Sequence, residues 1–492
     1  MSRILLLIVI VLWMSRAAAP GVNAPLGMAH GGSLFIGGLL LVVLFMGLWS
    51  RILARQVRGD NLHLSLRRFH NSMFAARLLI PIWFGVAVFI LGWPHVVARA
   101  LGPARYWPIE LPGMILGTLP AVLTWMALWW AQYPADRALR EQSLLIQLDE
   151  NLPVHSPPGF WSYFVSNLRL QVLFTFVPVA LIILLHDIAS IVLWNYSNID
   201  LYHASPGGSD ATIELILQLA SIAIVVLFAP EVLRRVLHTQ RLPDSPLRSR
   251  LEALCQRTGM RYRDILLWRT NHNMGNAAVM GLVPWMRYIL LSDVLLETMT
   301  DQQIEAVFAH EIGHVKHWHM GWYIVLVATL MLLIFGPVQM LGGTLSRWHR
   351  PSWLSDDAIT GVIGVGGFIL IFGYLSRWFE RQADVFAART MQQQDNLAAT
   401  PVYKTYVGKH GAMTFASALY RVAIINNIPI SARNFTHGSI VDRMNYVQTL
   451  SADPTRTLRF DRSMSMLYAM MIFILLACAA WVIVAWGVQS PI

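Results

Sequence analysis

Charge is scarce in this sequence: Asp, Glu, Lys and Arg make up only 13% of its 492 residues, whereas 56% are hydrophobic. So small a share of charged residues excludes an ordinary soluble globular protein of this size and favours a multi-pass membrane protein. Cysteine is nearly absent, with Cys255 in a polar region and Cys478 in an apolar run, which argues against a disulfide framework. We expect no nucleic-acid partner, because cytoplasmic loops of membrane proteins collect Lys and Arg and so account for the net charge of +10.

Long apolar runs are the main feature of the sequence, and about eight of them approach the length needed to cross roughly 30 Å of hydrocarbon. They lie at 33–50, 78–97, 112–132, 169–194, 212–233, 321–341, 358–375 and 465–488. The first residues, MSRILLLIVIVLWMSRAAAPG, resemble a secretory signal, with an uncleaved anchor as the alternative. The loop 51–77 carries six Arg and the region 234–320 carries eleven Arg plus Lys, whereas 195–211 carries none. The first two therefore face the cytoplasm.

These runs divide the chain into a membrane domain and a split polar domain. The two polar regions should pack together on the cytoplasmic face, and the first contains MRYRDILLWRT and NAAVMGLVPWMRYILLSDVLLE, which predict short strands of a small sheet. The predicted organisation is a signal-like or anchor segment with an outer linker (1–32), five spans (33–233), the first half of a cytoplasmic catalytic domain (234–320), a two-span hairpin (321–375), its second half (376–464) and a C-terminal span (465–492).

The stretch AVFAHEIGHVKHWH contains an H-E-x-x-H pattern. It lies on a predicted helix, because Thr300 and Gln303, just before it, have the spacing of a capping box at a helix start. His310 and His314 are four residues apart on one helix face, so both imidazoles can reach one zinc ion at about 2.0–2.1 Å. Glu311 is then placed to accept a proton from water rather than to bind the metal. The alternative is a histidine cluster on a solvated helix.

A third ligand is available after the predicted hairpin, in the stretch SRWFERQADVFAART. After the hairpin the chain comes back to the membrane face on which the HEIGH helix lies. Glu380 is then close to that helix and can complete a His, His, Glu site. Asp384, one turn later, can orient a ligand imidazole. The alternative is a solvated helix in which both carboxylates pair with Arg377 and Arg381. The combination with HEIGH favours the metal site, with one zinc ion per chain.

HEIGH, two spans and ERQAD together resemble the membrane zinc metallopeptidases that include the type I CAAX prenyl protease and the bacterial inner-membrane heat-shock protease. NAAVMG, with Asn276, is similar to the family's edge strand, and THGSIVDRM, with His437 and Arg443, is similar to its T-H-P-x-x-x-x-R segment. Gly438 stands where the family usually has Pro, which puts the local loop shape in doubt. The resemblance covers roughly 160–450 and implies a zincin-like α+β catalytic domain split around the hairpin. The C-terminal span fits neither named relative.

The resemblance also implies roles for three further residues. His437 is the candidate donor to the developing oxyanion, Arg443 would hold the site or a substrate carboxylate, and Asn276 would bind the substrate backbone beside the edge strand. The alternative for His437 and Arg443 is a polar cluster at a helix start, and the alternative for Asn276 is a turn residue. We therefore predict a membrane zinc metalloendopeptidase that hydrolyses peptide bonds of membrane-associated or lipidated proteins, with Glu311 as general base.

Two other functions stay open on the sequence alone: a polytopic transporter with a regulatory zinc site, and an inactive scaffold. A regulatory site has no use for Glu311, and no internal repeat of the kind common in transporters is visible. The protein is expected in a bacterial inner membrane with its site on the cytoplasmic side, and the endoplasmic reticulum membrane is the alternative.

Overall fold

The computed structural model describes most of the chain, with gaps of up to about twenty residues. Part of the predicted outer linker (18–27) and the middle of the predicted hairpin (334–355) lie outside the described residues. The described ranges are 2–17, 28–57, 61–101, 110–149, 156–197, 209–333, 356–392, 406–433 and 435–489.

The N-terminal half is a bundle of helices, the form in which an apolar chain satisfies its backbone groups without water. A π-helical stretch, Leu168–Leu173, joins the sixth and seventh helices. The helices are α1 (Ser2–Ala17), α2 (Met28–Gln56), α3 (Leu62–Phe89), α4 (Trp93–Leu101), α5 (Glu110–Asp149), α6 (Phe160–Asn167), α7 (Phe174–Ser197) and α8 (Ser209–Val236). The predicted span 78–97 is wrong in its bounds, because the chain leaves the helix after Phe89 and turns at Gly92, whose φ is +73°.

Helix α1, the signal-like segment, packs inside this bundle. Leu6, Val9 and Ile10 are at most 2% exposed and lie in the same core as residues of α3 and α5. Whether this segment is cleaved stays a prediction.

Six described helices are long and apolar enough, by length and composition, to cross a membrane. They confirm the predicted class, a helical multi-pass membrane protein with a small sheet. The two hairpin spans remain predictions, because part of the hairpin lies outside the described residues. The six lie at His30–Gln56, Leu64–Phe89, Glu110–Leu145, Phe160–Tyr196, Thr212–Val236 and Pro454–Val484.

The remaining described residues form a four-stranded sheet with helices packed beside it. Strand order is β1-β2-β4-β3, with β2 and β4 parallel and the other two pairs antiparallel, so β3 is an edge strand. The elements are β1 (Thr239–Arg241), α9 (Pro246–Thr258), β2 (Asp264–Trp268), β3 (Ala277–Met280), β4 (Tyr288–Ser292), α10 (Asp293–Thr298), α11 (Asp301–Lys316), α12 (His319–Leu333), α13 (Asp356–Gln392), α14 (Lys409–Ile425), α15 (Ile440–Ala452) and α16 (Pro454–Gln489).

The stretch predicted as strand from 276 to 297 becomes helical at its end. Ser292 accepts a hydrogen bond from the backbone N–H of Leu295 at 3.3 Å and so caps α10. A side-chain cap satisfies an N–H that would otherwise lack a partner, and this overrides the strand preference of the apolar residues that follow.

Helix α11 begins with the predicted capping box. The Thr300 hydroxyl accepts from the backbone N–H of Gln303 at 3.3 Å, and the Gln303 side chain accepts from the N–H of Thr300 at 3.2 Å. The helix ends at Lys316, before the next apolar run. Trp318 adopts a φ of +57°, and α12 begins at His319 in a new direction.

Close packing of α11 on α13 forms the centre of the core beside the sheet. Phe308, Ile312 and Phe379 are fully buried there. A Cβ added at Gly313 would lie 3.0 Å from the backbone Cα of Ala383, so only glycine lets the two helices approach this closely. The same approach brings the HEIGH residues of α11 against Glu380 and Asp384 of α13.

We predict that Gly313→Val destabilises the protein by about 1–3 kcal/mol, because the added methyl groups meet backbone that cannot move without separating the helices. Thermal unfolding of the detergent-purified protein checks this. Gly366→Ala on α13 is the control, since nothing lies within 4 Å of the added Cβ. Equal stability of the two variants would contradict the role of the close approach.

Candidate metal centre and active site

Three side chains from two helices converge on one point. The Nε2 atoms of His310 and His314 are 3.2 Å apart, and they lie 3.6 and 3.5 Å from the two carboxylate oxygens of Glu380. The candidate ligand atoms all lie within 4.8 Å of one another. The helix repeat places the two imidazoles one turn apart, and the α11–α13 contact supplies the carboxylate.

These donors fit a tetrahedral zinc ion. With zinc–ligand distances of about 2.0–2.1 Å, ligand atoms in a tetrahedron are about 3.3 Å apart. The two Nε2 atoms are 3.2 Å apart, and each lies within 3.6 Å of one oxygen of Glu380, that of His310 near Oε2 and that of His314 near Oε1. Oε2 of Glu380 is buried and has no hydrogen-bond partner among the described residues; the Arg443 guanidinium lies 3.5 Å away but donates its hydrogen bonds to Asp384. A buried carboxylate oxygen without a donor is costly unless a cation neutralises it. Two imidazoles and a carboxylate are also the donor set of many catalytic zinc sites.

The protonation of the cluster also indicates a cation. Burial would lower the pKa of His310, but Asp384 and Glu380 outweigh this and raise it to about 9. Burial would raise the pKa of Glu380, but the neighbouring His437, His310 and Arg443 hold it well below its usual range. The carboxylates thus stay ionised and draw a positive charge to the imidazole of His310, whereas burial lowers the pKa of His314 to about 3. A metal ion can take the place of that proton.

Asp384 and Arg443 support the cluster from behind. Asp384 is fully buried, and its Oδ1 lies 3.0 Å from Nδ1 of His310, the ring nitrogen that points away from Glu380. Arg443 on α15 donates two hydrogen bonds to this carboxylate, at 2.9 and 2.6 Å, and its guanidinium also lies 3.5 Å from Glu380. Because Arg443 donates both hydrogen bonds to Asp384, its guanidinium points into the site and not towards solvent.

Glu311 lies between the metal cluster and the sheet. Its carboxylate accepts a hydrogen bond from the backbone N–H of Val279 on β3 at 3.1 Å. That N–H points away from β4, so it belongs to the free edge of the sheet. Burial raises the pKa of Glu311 to about 7, with Glu380 adding to the effect and His310 opposing it. A carboxyl group with such a pKa can both accept and release a proton near neutral pH.

His437 lies on the solvent side of the cluster. Its Nδ1 is 2.8 Å from Oε1 of Glu380, while about half of the side chain stays exposed. Gly438 follows with a φ of +74°, a conformation that proline, fixed near −65°, cannot adopt. The departure from the expected T-H-P pattern therefore changes the loop, yet His437 still reaches the cluster.

Asn276 precedes β3 and does not contact the cluster. Its backbone N–H donates to Ser292 at 2.9 Å, and its carbonyl accepts from the N–H of Ser292 at 3.0 Å. The side chain is exposed beside the free edge of the sheet. It is the one predicted site residue that the structure leaves apart from the others.

Three residues near the cluster were missed by the sequence analysis. Nδ1 of His319 lies 2.8 Å from Nδ1 of His314, and its Nε2 lies 2.9 Å from Oε1 of Gln382. Tyr468 on α16 donates to the same amide oxygen. His319 stood within the quoted motif stretch, but on one unbroken helix residues five apart are turned by about 140° from each other, so no contact with His314 was expected.

Comparisons with known proteins match the segment of the chain that carries this site. Residues 242–451 match the family model of Peptidase family M48. A CAAX prenyl protease 1 homolog from Arabidopsis thaliana is 25% identical over 193 residues, which are 34% of this chain and 46% of that protein. A Protease HtpX homolog from Dictyoglomus thermophilum is 27% identical over 189 residues, 36% of this chain and 60% of that protein. The chain thus spans about half the length of the curated relatives it matches.

A likeness to a solved structure extends further along the chain. The crystal structure of S. mikatae Ste24p aligns with a TM-score of 0.46 and 16% identity, covering 86% of this chain and all of that one. The matched family segment contains every predicted site residue, from Asn276 to Arg443. The resemblance predicted from HEIGH and ERQAD is therefore confirmed: the segment that carries the site matches Peptidase family M48 and is similar to the two named proteases.

Proposed function

We propose that the protein is a membrane zinc metalloendopeptidase that uses His310, His314 and Glu380 as metal ligands. One observation carries the proposal: the carboxylate of Glu311 lies beside the ligand cluster and accepts a hydrogen bond from the edge-strand N–H of Val279. A site that only stores or senses a metal ion needs ligands but no such proton acceptor. Relatives named as proteases support the same conclusion.

The residues divide the work of peptide hydrolysis. Zinc, when bound, polarises the peptide carbonyl and lowers the pKa of a water molecule to about 7. Glu311 accepts a proton from the attacking water and later gives it to the leaving amine. His437, half exposed at the edge of the cluster, donates a hydrogen bond to the carbonyl oxygen as negative charge develops. Asp384 and Arg443 keep His310 in place.

The substrate is proposed to lie as an extended strand along the free edge of β3. Backbone groups at such an edge are available for pairing with a peptide, and Val279 brings this edge next to Glu311. Asn276, exposed at the start of the strand, would bind the substrate backbone. The substrates are then proteins at the membrane, including lipidated ones, as the name of the CAAX prenyl protease relative suggests.

The location follows the charge of the loops. The Arg-rich region before α12 supports a site on the cytoplasmic side, and we propose a bacterial inner membrane, with the endoplasmic reticulum as the alternative. A transporter or scaffold with a regulatory zinc site is the competing function. Cleavage assays on the wild type and Glu311→Gln distinguish it from the protease.

We predict that Glu311→Gln lowers cleavage of an unfolded protein such as casein by at least about 10²-fold, because the amide cannot accept the proton. Its oxygen can still accept from Val279, so folding and one zinc per chain are retained. Purified wild type and variant are compared by gel assay and metal analysis. Glu297→Gln, on the surface at α10, is the matched control and should keep full activity.

If wild type and Glu311→Gln both hold zinc and neither cuts casein or a prenylated peptide, the regulatory site is favoured instead. If Glu311→Gln cuts as fast as wild type, Glu311 is not the base.

We predict that Asn276→Ala lowers kcat/KM about tenfold, mainly through KM, since it removes about one hydrogen bond to the substrate backbone. Zinc content should not change, because Asn276 does not contact the ligand cluster. Steady-state cleavage of a fluorogenic peptide checks this, with Asn445→Ala on the exposed face of α15 as control. An unchanged KM would assign Asn276 to the turn alone.

We predict that Arg443→Met destabilises the protein by about 3–5 kcal/mol, because it leaves the fully buried Asp384 carboxylate without its partner. Thermal unfolding of detergent-purified protein, with and without a chelator, measures the loss. Arg433→Met changes an exposed arginine and should move the midpoint little. A midpoint for Arg443→Met equal to that of Arg433→Met would show that the buried pair contributes no stability.

A further inference from the structure

His319 is a buried histidine for which peptide hydrolysis as proposed above has no use. It is the first residue of α12, directly after the break at Trp318, and it is 1% exposed. The break turns the chain so that the imidazole faces back towards α11. Its ring stacks on Phe379 of α13, with centroids 4.5 Å apart and planes at 5°. The position of this ring is therefore fixed on one face by packing and at both nitrogens by polar contacts.

The polar contacts of His319 form one chain with a consistent direction. Nε2 of His314 faces the metal cluster, so its Nδ1 carries the proton and donates to Nδ1 of His319 at 2.8 Å. The other nitrogen of His319 then carries its proton and donates to Oε1 of Gln382 at 2.9 Å. The Tyr468 hydroxyl donates to the same oxygen. Every donor meets an acceptor, and both imidazoles are neutral, as a zinc ligand and its support require.

The two proposed histidine ligands are thus supported differently. Nδ1 of His310 faces the carboxylate of Asp384, which an arginine holds in place. Nδ1 of His314 faces a neutral imidazole, which an amide and a phenol hold in place. Partners of this kind fix the orientation of a ligand ring and its tautomer.

The far end of the chain of contacts lies on α16, the C-terminal apolar helix. Tyr468 stacks on Trp322 of α12 with centroids 4.4 Å apart, and it lies near Phe379. Nearer the start of α16, Asp461 pairs with Arg389 of α13 at 2.7 Å. The helix is therefore attached to both of the helices that flank His319.

We propose that His319, Gln382 and Tyr468 are positioning residues that hold His314 in its zinc-binding orientation and connect the C-terminal helix α16 to the metal centre. This rests on the proposed function only in taking His314 as a zinc ligand. It gives the C-terminal helix a role in the site although it contributes no ligand itself.

Two substitutions at His319 separate hydrogen bonding from packing. His319→Phe keeps a ring that can stack on Phe379 but removes the acceptor, and His319→Asn loses the ring but offers an amide oxygen near the position of Nδ1. We expect His319→Phe to weaken zinc binding about 10–100-fold and His319→Asn to stay within a few-fold of wild type. The zinc dissociation constant of the full-length, detergent-purified protein is measured by competition with a chromogenic chelator.

A second pair of variants tests the connection to α16. Tyr468→Phe should weaken zinc binding a few-fold in wild type and not further in His319→Phe, because the two residues act through one chain of contacts. His410→Leu is the control: it replaces an exposed histidine at the start of α14, away from His319, Gln382 and Tyr468 in the sequence. It should bind zinc as wild type does.

The outcomes distinguish this proposal from the proposed function. Wild-type affinity in His319→Phe, or a loss in His319→Asn as large as in His319→Phe, would show that packing alone matters and would overturn the positioning role. If Tyr468→Phe weakened zinc binding equally in wild type and in His319→Phe, α16 would have no part in positioning His314. If the wild type bound zinc but cut no substrate, the proposed protease function would be wrong and the positioning role of His319 would be unaffected. A wild type that binds no zinc would end both.

Discussion

The site depends on how closely α11 and α13 approach each other. His310 and His314 lie on one helix and Glu380 and Asp384 on the other, both pairs with the spacing of one helical turn. Two such pairs meet only if the helices are nearly in backbone contact, and Gly313 against Ala383 permits this. The apolar side chains around them, Phe308 and Phe379 among others, fix the separation through packing rather than through polar groups.

Such packing concentrates negative charge in a place with little water. Glu311, Glu380 and Asp384 are buried or nearly so, and Arg443 is the one guanidinium that contacts them among the described residues. If all three carboxylates are ionised, two negative charges are left over, which a divalent cation balances. Without it, protons must do so, and the raised pKa values of His310 and Glu311 show where they go. The same excess of negative charge that makes the empty site costly makes it selective for a cation.

Much of the site could be predicted from the sequence because its parts are local. The capping box of Thr300, the H-E-x-x-H spacing and the E-x-x-x-D spacing each follow from the geometry of one helix. Joining them needed only the expectation that chain segments on either side of a hairpin return to the same membrane face. The resemblance to a known family added His437 and Arg443, which lie far along the chain.

What could not be predicted depends on single backbone conformations. A φ of +57° at Trp318 is unusual for a large side chain, and no residue pattern indicated that the helix would end there. Without that break His319 is turned away from His314, so the sequence gives no reason to expect that Gln382 and Tyr468 are connected to His314. The end of the strand at Ser292 is a similar case, because one side-chain cap decided between strand and helix.

The arrangement also links metal binding to the folding of the whole region that contains the site. The proposed ligands come from α11 and α13, the supporting charge from α15, and the contacts of His314 on its far side from α12 and α16. No one of these helices holds a complete site, so a cation binds well only when all of them are packed. By linkage its binding free energy adds to the stability of that packed state. The strained residue at Trp318 is held in this way too, since relaxing it would move His319 and loosen a ligand on which the cation depends.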